Sequence, residues 1–399
     1  MAQRQFRSDD TDPWTDGYGT GVDGAKTITS DETYDGANAG CSGTSGSNTL
    51  TLDLASTFQN GDSVLIHQTR GATANDNPNW ELNRIVSGGG TTSLNLARPL
   101  TRSYLDGGDN QAQVVEMKQY TTVDVNTPAN WIAPNWDQNK GGFLAFFASI
   151  SVNSNGGNFR LDGAGQAGGG RGGYHGGPDP GSGQTQGFRG EGWPAPNNVK
   201  TTARNGNGGS GGDATGGAGV GGAGGGNGSG GGAPAGGGGS TQGGDVAGNA
   251  GLTIFSWGGA GGSGGTNNNG GNRGDGFGGR GASGIFIFSP DIHLENSGGV
   301  NLNGSNGQTT ANGNAGGGGG GAGGSALLKG VTVNIGTNKI SATGGGGGGG
   351  GAAGAGGGVG RVHIDFATSI TGTSNPGADT RQDATIFPPA KAGFFADFV

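Results

Sequence analysis

Glycine occupies 103 of the 399 positions, where an average chain carries roughly 7%. Most of it lies in tracts: Gly163–Gly192, Gly206–Gly251, Gly258–Gly284, Gly313–Gly324 and Gly344–Gly360. Glycine loses more conformational freedom on folding than any other residue and brings no side chain to a core. Any order in these tracts must therefore come from backbone N–H and C=O groups meeting each other. Collagen is excluded, because it needs glycine at every third position and abundant proline. Here the phase breaks, as at Gly236–Gly239, and the whole chain holds 14 prolines. Three states remain open. One is the flexible linker, although these tracts hold little serine and almost no charge, and apolar strands bracket them repeatedly. A second is the ordered irregular loop. The third is a polyglycine II lattice, in which extended three-fold helices pack closely and each N–H meets a C=O on a neighbour. At roughly 0.5–1.5 kcal/mol net per bond, dozens of such bonds would offset the entropy of glycine. The lattice is the leading expectation, with the sparse Asn, Ala and Ser at its surface.

Hydrophobic residues make up 29% of the chain and charged residues only 13%. That charge content is low for a disordered chain, and the apolar residues come in blocks with strand-like alternation. The net charge of −8 and the absence of any long basic run argue against nucleic-acid binding. Cys41, the only cysteine, rules out an intrachain disulfide framework and reads as a small buried hydrophobe. Acidic residues arrive by Asp9 and Asp10, before any apolar core, so no Sec-type signal peptide is expected. The longest apolar block, Phe143–Val152, is too short and too polar to span a bilayer, so no membrane insertion is expected.

The predicted class is all-β: a small N-terminal barrel-like domain, then a β-solenoid or layered β body with polyglycine II-like tracts. Residues 1–25 read as an arm or docking segment. Residues 26–128 read as the small domain, with strands near Thr49–Leu54, Ser63–Gln68, Trp80–Val86, Ser93–Leu96, Ala112–Met117 and Thr121–Val125. Residues 129–372 form the glycine-rich body and 373–399 a C-terminal docking tail. The body holds a repeat of alternating strands and a glycine-ended turn. Copies are Phe143–Val152 with Phe159–Gly163, Ile285–Leu294 with Val300–Gly304, Ala326–Ile335 with Lys339–Gly344, and Val362–Phe366 with Ser369–Gly372. Such units stack as rungs or form one layered sheet.

Motifs for catalysis are discounted by composition. Gly-x-Ser-x-Gly at Gly208–Gly212 and Gly261–Gly265 lacks the strand–turn–helix context of a nucleophile elbow. His67, His175, His293 and His363 are far apart, without metal-ligand spacing. Asp291, Glu295 and Asp365 are the carboxylates weighed for glycosidase chemistry, and nothing distinguishes them from solvated strand-face residues. No catalytic residue, metal site or cofactor is expected.

Tracts such as Gly221–Gly232 and Gly344–Gly351, set between apolar strands, resemble the glycine-rich tail-fibre adhesins of bacteriophages. The resemblance covers roughly residues 141–372 and is one of composition and arrangement. It implies a polyglycine II sandwich whose distal loops touch a host receptor. By position, the receptor-facing counterparts would be Tyr174, His175, Phe188, Trp193, Trp257 and Phe277. The alternative reading of these aromatics is as small hydrophobic plugs on the lattice. Phe6, Trp14 and Tyr18 in the arm, with Phe387, Phe394, Phe395 and Phe398 in the apolar tail, are candidates for assembly contacts. The expectation is a non-enzymatic virion or extracellular surface protein, a homo-oligomer that meets other virion proteins and a host glycan or outer-membrane protein. The alternatives are a self-assembling cell-surface filament and, from another class, a β-helix polysaccharide lyase or hydrolase.

Overall fold

The computed structural model describes residues 18–55, 57–71, 78–163, 184–193, 201, 203–204, 206–213, 219–234, 241–267, 276–294, 297–310 and 315–383. Among them every regular element is a strand, and no helix is long and apolar enough to cross a membrane.

Two short strands open the chain, β1 (Lys26–Ile28) and β2 (Glu32–Thr33). There follow β3 (Asn38–Ser42), β4 (Thr49–Leu52), β5 (Ser63–Arg70), β6 (Trp80–Ser87), β7 (Ser93–Leu96) and β8 (Gln111–Glu116). These close into an antiparallel barrel in the order β3-β4-β7-β6-β5-β8. Alternation explains the closure. On β4 and β7 Leu50, Leu52, Leu94 and Leu96 are buried while their Thr, Ser and Asn neighbours face water. Strand β5 is buried along its whole length because it serves two cores. Val64 and Ile66 point into the barrel with Cys41 and Phe58, whereas Leu65 packs with the rest of the molecule. Val114 and Val115 on β8 divide in the same way.

The remainder is built on one large sheet. Its strands are β9 (Lys118–Asn126), β10 (Asn130–Ile132), β11 (Phe143–Asn155) and β12 (Asn158–Arg160). A separate two-stranded antiparallel pair comprises β13 (Gln184–Thr185) and β14 (Thr266–Asn267). The large sheet resumes with β15 (Gly284–Phe288), β16 (Asp291–His293), β17 (Gly299–Asn301), β18 (Ser325–Ser341), β19 (Arg361–Asn375) and β20 (Asp379–Gln382). With β1 and β2 it has twelve strands, and every pairing in it is parallel. Equivalent residues of successive passes stack in columns. Leu144, Ile285, Ala326 and Val362 form one; Val123, Val152, Ile292, Val333 and Ile370 form another. The four repeat copies seen in the sequence are these passes. The barrel itself spans Asn38–Glu116. Strands β1, β2 and β9, grouped with it on sequence, pair instead with the large sheet, and Ile28 of β1 with Val123 and Val125 of β9 continues its core.

Candidate functional site

Glycine segments leave the sheet after β12, β17 and β18 and return at β15, β18 and β19. Their hydrogen bonds follow a period of three. In Gly316–Gly324 the N–H groups of Gly316, Gly319 and Ala322 donate to Gly265, Gly262 and Gly259. Those of Gly317, Gly320 and Gly323 donate to Ala352, Ala355 and Gly358, and those of Gly318, Gly321 and Gly324 to Gln308, Ser305 and Leu302. All nine distances lie between 2.8 and 3.1 Å. The carbonyls of the same segment accept from three further segments: Gly276, Gly279 and Ala282; Gly222 and Gly225; Gly348 and Gly345. Asn227 Nδ2 and the Arg361 N–H serve the carbonyls of Gly323 and Gly324. One segment thus has six neighbours, three accepting from its N–H groups and three donating to its carbonyls, and no backbone polar group in it lacks a partner.

This spacing excludes side chains. A Cβ on Gly318 would overlap the carbonyl oxygen of Phe277, and one on Gly321 that of Arg280. The few larger residues were expected at the surface of the glycine segments. Several lie inside: Asn207, Ser210, Ala223, Asn227, Ala260, Ser263 and Ala322 are all buried. Their polar atoms replace missing backbone partners. Asn207 accepts from the Trp193 N–H at 2.6 Å and donates to the Trp257 carbonyl at 2.9 Å. Ser210 and Ser263, the serines of the two Gly-x-Ser-x-Gly matches, each accept a backbone N–H at 2.8 Å, from Gln242 and Phe188.

The two ends of this assembly differ. At one end it merges with the sheet, through Ala282, Gly324 and Gly360. At the other, Asp213, Val220, Gly265, Ala315, Gly316, Gly351 and Ala352 are joined by hydrogen bonds or bridges. Residues 214–218, 268–275 and 311–314 connect chain ends that meet at this tip, and residues 164–183 rejoin the described chain there. Phe277, next to the tip, is 37% exposed, and Phe188 is half-buried. Tyr174 and His175 fall in 164–183, outside the described residues.

Trp193 and Trp257 lie at the opposite end, and both are buried. This corrects their placement as receptor-facing residues. Trp257 packs where barrel and sheet meet, its ring centroid 4.8 Å from that of Phe143, 5.2 Å from Trp136 and stacked on His67 at 6.0 Å. Gly142 is required beneath it, because a Cβ there would sit 2.6 Å from the indole. His67 joins the two regions, with Nε2 2.8 Å from the Phe255 carbonyl and Nδ1 2.9 Å from Thr69 Oγ1. Burial pushes its pKa down to about 4, only partly opposed by the Phe255 carbonyl. Arg70 and Glu191 form a buried ion pair at 2.7 Å across the same junction, and Trp136 Nε1 donates to that carboxylate at 3.0 Å. Sequence alone placed none of this, since an aromatic flanked by glycine reads as exposed.

The assembly candidates divide likewise. Tyr18 is 2% exposed in the core of its own chain, and the adjoining Gly19 lies against Phe147, which corrects the reading of Tyr18 as an assembly contact. Burial and the nearby Asp383 raise its pKa. Tyr18 and Asp383, the first and last described residues, both lie on the sheet side. Phe6, Trp14, Phe387, Phe394, Phe395 and Phe398 lie outside the described residues.

The carboxylates weighed for catalysis are dispersed. Asp291 pairs with His293 at 3.1 Å, and Glu295 lies outside the described residues. Asp365 accepts from Arg381 Nε at 2.8 Å and lies 3.2 Å from His363 Nε2, whose Nδ1 is 2.8 Å from Asp379. Burial raises the Asp365 pKa, but the bonds to His363 and Arg381 outweigh it and hold the carboxyl below its usual range. Among the described residues no three His, Cys, Asp or Glu side chains converge as a metal site. An open cleft of about 370 Å³ on the barrel is lined by Ser42, Thr44, Ser47, Thr49, Thr51, Ser103 and Tyr104. It escaped the sequence reading because strand-face hydroxyls look like ordinary solvated positions. No family model matches this chain, and no curated protein matches it.

Proposed function

We propose that this chain is a non-enzymatic structural and adhesive protein of a virion or external surface, a rigid glycine-rich body that carries receptor-contacting segments at its tip. In this reading the parallel sheet is a β-solenoid and the glycine segments are a polyglycine II lattice. The observation that carries it is the period-three bonding of Gly316–Gly324 to six neighbours. Three residues per turn is the repeat of the extended polyproline-type helix, whose rise of about 3.1 Å per residue makes a nine-residue segment about 28 Å long. Such a lattice resists bending without a side-chain core and holds its connecting segments away from the sheet. Residues 164–183, with Tyr174 and His175, and Phe277 beside the tip are the receptor-facing set. Phe6 and Trp14 before Tyr18, with Phe394, Phe395 and Phe398 near the C-terminal end of the sequence, are the set for attachment to other virion proteins or to further copies of the chain.

The test is binding of the purified protein to cells of a bacterial panel and to their isolated surface glycans and outer-membrane proteins. Tyr174→Ala, His175→Ala and Phe277→Ala should abolish binding with unchanged melting. Binding that survives all three substitutions overturns the tip as the contact. A second reading, a self-assembling surface filament, is favoured by one observation: β19 has a free parallel edge over Thr368–Asn375 among the described residues. Open helical filaments in electron cryo-microscopy would support it over discrete particles.

A further inference from the structure

Strand β20 covers only part of β19, pairing His363, Ile364, Asp365 and Phe366 with Asp379, Thr380, Arg381 and Gln382. Beyond Phe366 the far edge of β19 has no strand against it among the described residues. The core is also unfinished there. Val123, Val152, Ile292 and Val333 are fully buried in their column, but the next member, Ile370, is only half-buried, as is Phe366. An open parallel edge over an apolar column end is an invitation to another strand.

We propose that residues Thr385–Phe387 of the same chain fill this edge, continuing β20 as a cap on the last pass of the sheet. The chain is already aimed there: the Asp383 N–H donates to the Phe366 carbonyl at 2.8 Å. The register of β20 on β19 is a constant offset of sixteen (379 − 363). Each pass turns a corner at this point. The turn takes four residues in β11 (Phe147 to Ser151) and β19 (Asp365 to Ser369), and three in β15–β16 (Phe288 to Asp291) and β18 (Lys329 to Thr332). A four-residue turn keeps the offset and sets Thr385 against Ser369, Ile386 against Ile370 and Phe387 against Thr371. A three-residue turn would put Thr385 on the apolar column instead. The apolar side chain at 386 selects the first. Pro388 and Pro389 follow directly. Proline has no N–H to extend a ladder, so the cap ends the sheet and closes its edge to further strands.

The experiment uses the full chain with Thr371→Cys and Phe387→Cys together; the only native thiol, Cys41, is buried. Mild oxidation should give a crosslink within single chains, and the out-of-register pair Thr371→Cys with Phe398→Cys should give none. Crosslinks only between chains would assign the edge to a second copy and overturn the cap. Equal crosslinking by both pairs, or none by either, would overturn it as well. As a measurement independent of thiol geometry, Ile386→Asp in the full chain should speed amide exchange of Ser369–Thr371 by about tenfold or more. Unchanged exchange there counts against the cap. Neither readout depends on receptor binding, so the cap and the adhesive function can fail separately.

Discussion

In the barrel, neighbouring residues on one strand serve different cores: Val64 and Ile66 point one way, Leu65 the other, and burial of branched side chains holds the strands together. In Gly316–Gly324 the only side chain is the methyl of Ala322, and neighbouring residues differ in which segment takes their N–H. The barrel is specified by side-chain volume, the glycine segments by its absence. The first tolerates small losses and resists added polarity. The second should tolerate no added atom where two backbones touch.

The largest expected effect follows from that contrast. Gly321→Ala adds one methyl group where only the Arg280 backbone could give way, and should cost at least about 4 kcal/mol or prevent folding. Leu50→Ala, which removes a fully buried side chain from the barrel, should cost about 2–5 kcal/mol. Chemical denaturation of both variants compares them; a cost under about 1 kcal/mol for Gly321→Ala would break the contrast. Next comes pH, acting where the two regions join. His67 has a depressed pKa in the folded state, so between pH 6.5 and about 4 the unfolded chain binds more protons than the folded one. Stability attributable to His67 is full above pH 6.5 and falls by about 3 kcal/mol as the pH drops to about 4. His67→Gln should flatten that part of a stability–pH curve, and an unaltered slope would assign it to other groups. A smaller loss is expected from Asn227→Ala, which strips partners from the Gly323 carbonyl and from Ser256. Thermal or urea unfolding should show about 1–3 kcal/mol. Phe277→Ala, at the exposed tip, should change stability by no more than about 0.5 kcal/mol, which makes it usable in binding assays.

Sequence and structure agree most closely where side chains alternate. The alternation in Ser93–Leu96 gives the bounds of β7, and the repeat at Phe143, Ile285, Ala326 and Val362 marks four passes of the sheet, because burial on one face writes a period of two into the sequence. Strand β20 lies in the stretch that reads as a tail, since Asp379–Gln382 is polar and pairs through the backbone, through a hydrogen bond between Asp379 and His363 and through an ion pair of Arg381 with Asp365. Tracts rich in glycine were evident, but not which tract bonds to which, because the partners of Gly317 and Gly318 differ with no change of residue type. Of the aromatic candidates, Phe277 lies exposed beside the tip, while Trp193 and Trp257 are buried. The signal that separates them was at hand only in part: Trp257 follows Ile254–Phe255, an apolar stretch, whereas Phe277 stands alone among glycines.

The partners of Gly316–Gly324 also set an order of events during synthesis. Its donors and acceptors run from Gly222 to Arg361, and none lies within the segment itself. Apart from the bond between Gly318 and Gln308, its partners lie far along the chain, and contacts this distant in sequence are the slow ones to make. The barrel closes its ring once Glu116 has been made, whereas Gly316–Gly324 must wait for the chain to reach Arg361. For much of its translation this protein is a finished barrel followed by apolar strands and glycine segments whose partners are still to be made, and the last passes of the sheet gather those glycine segments into register.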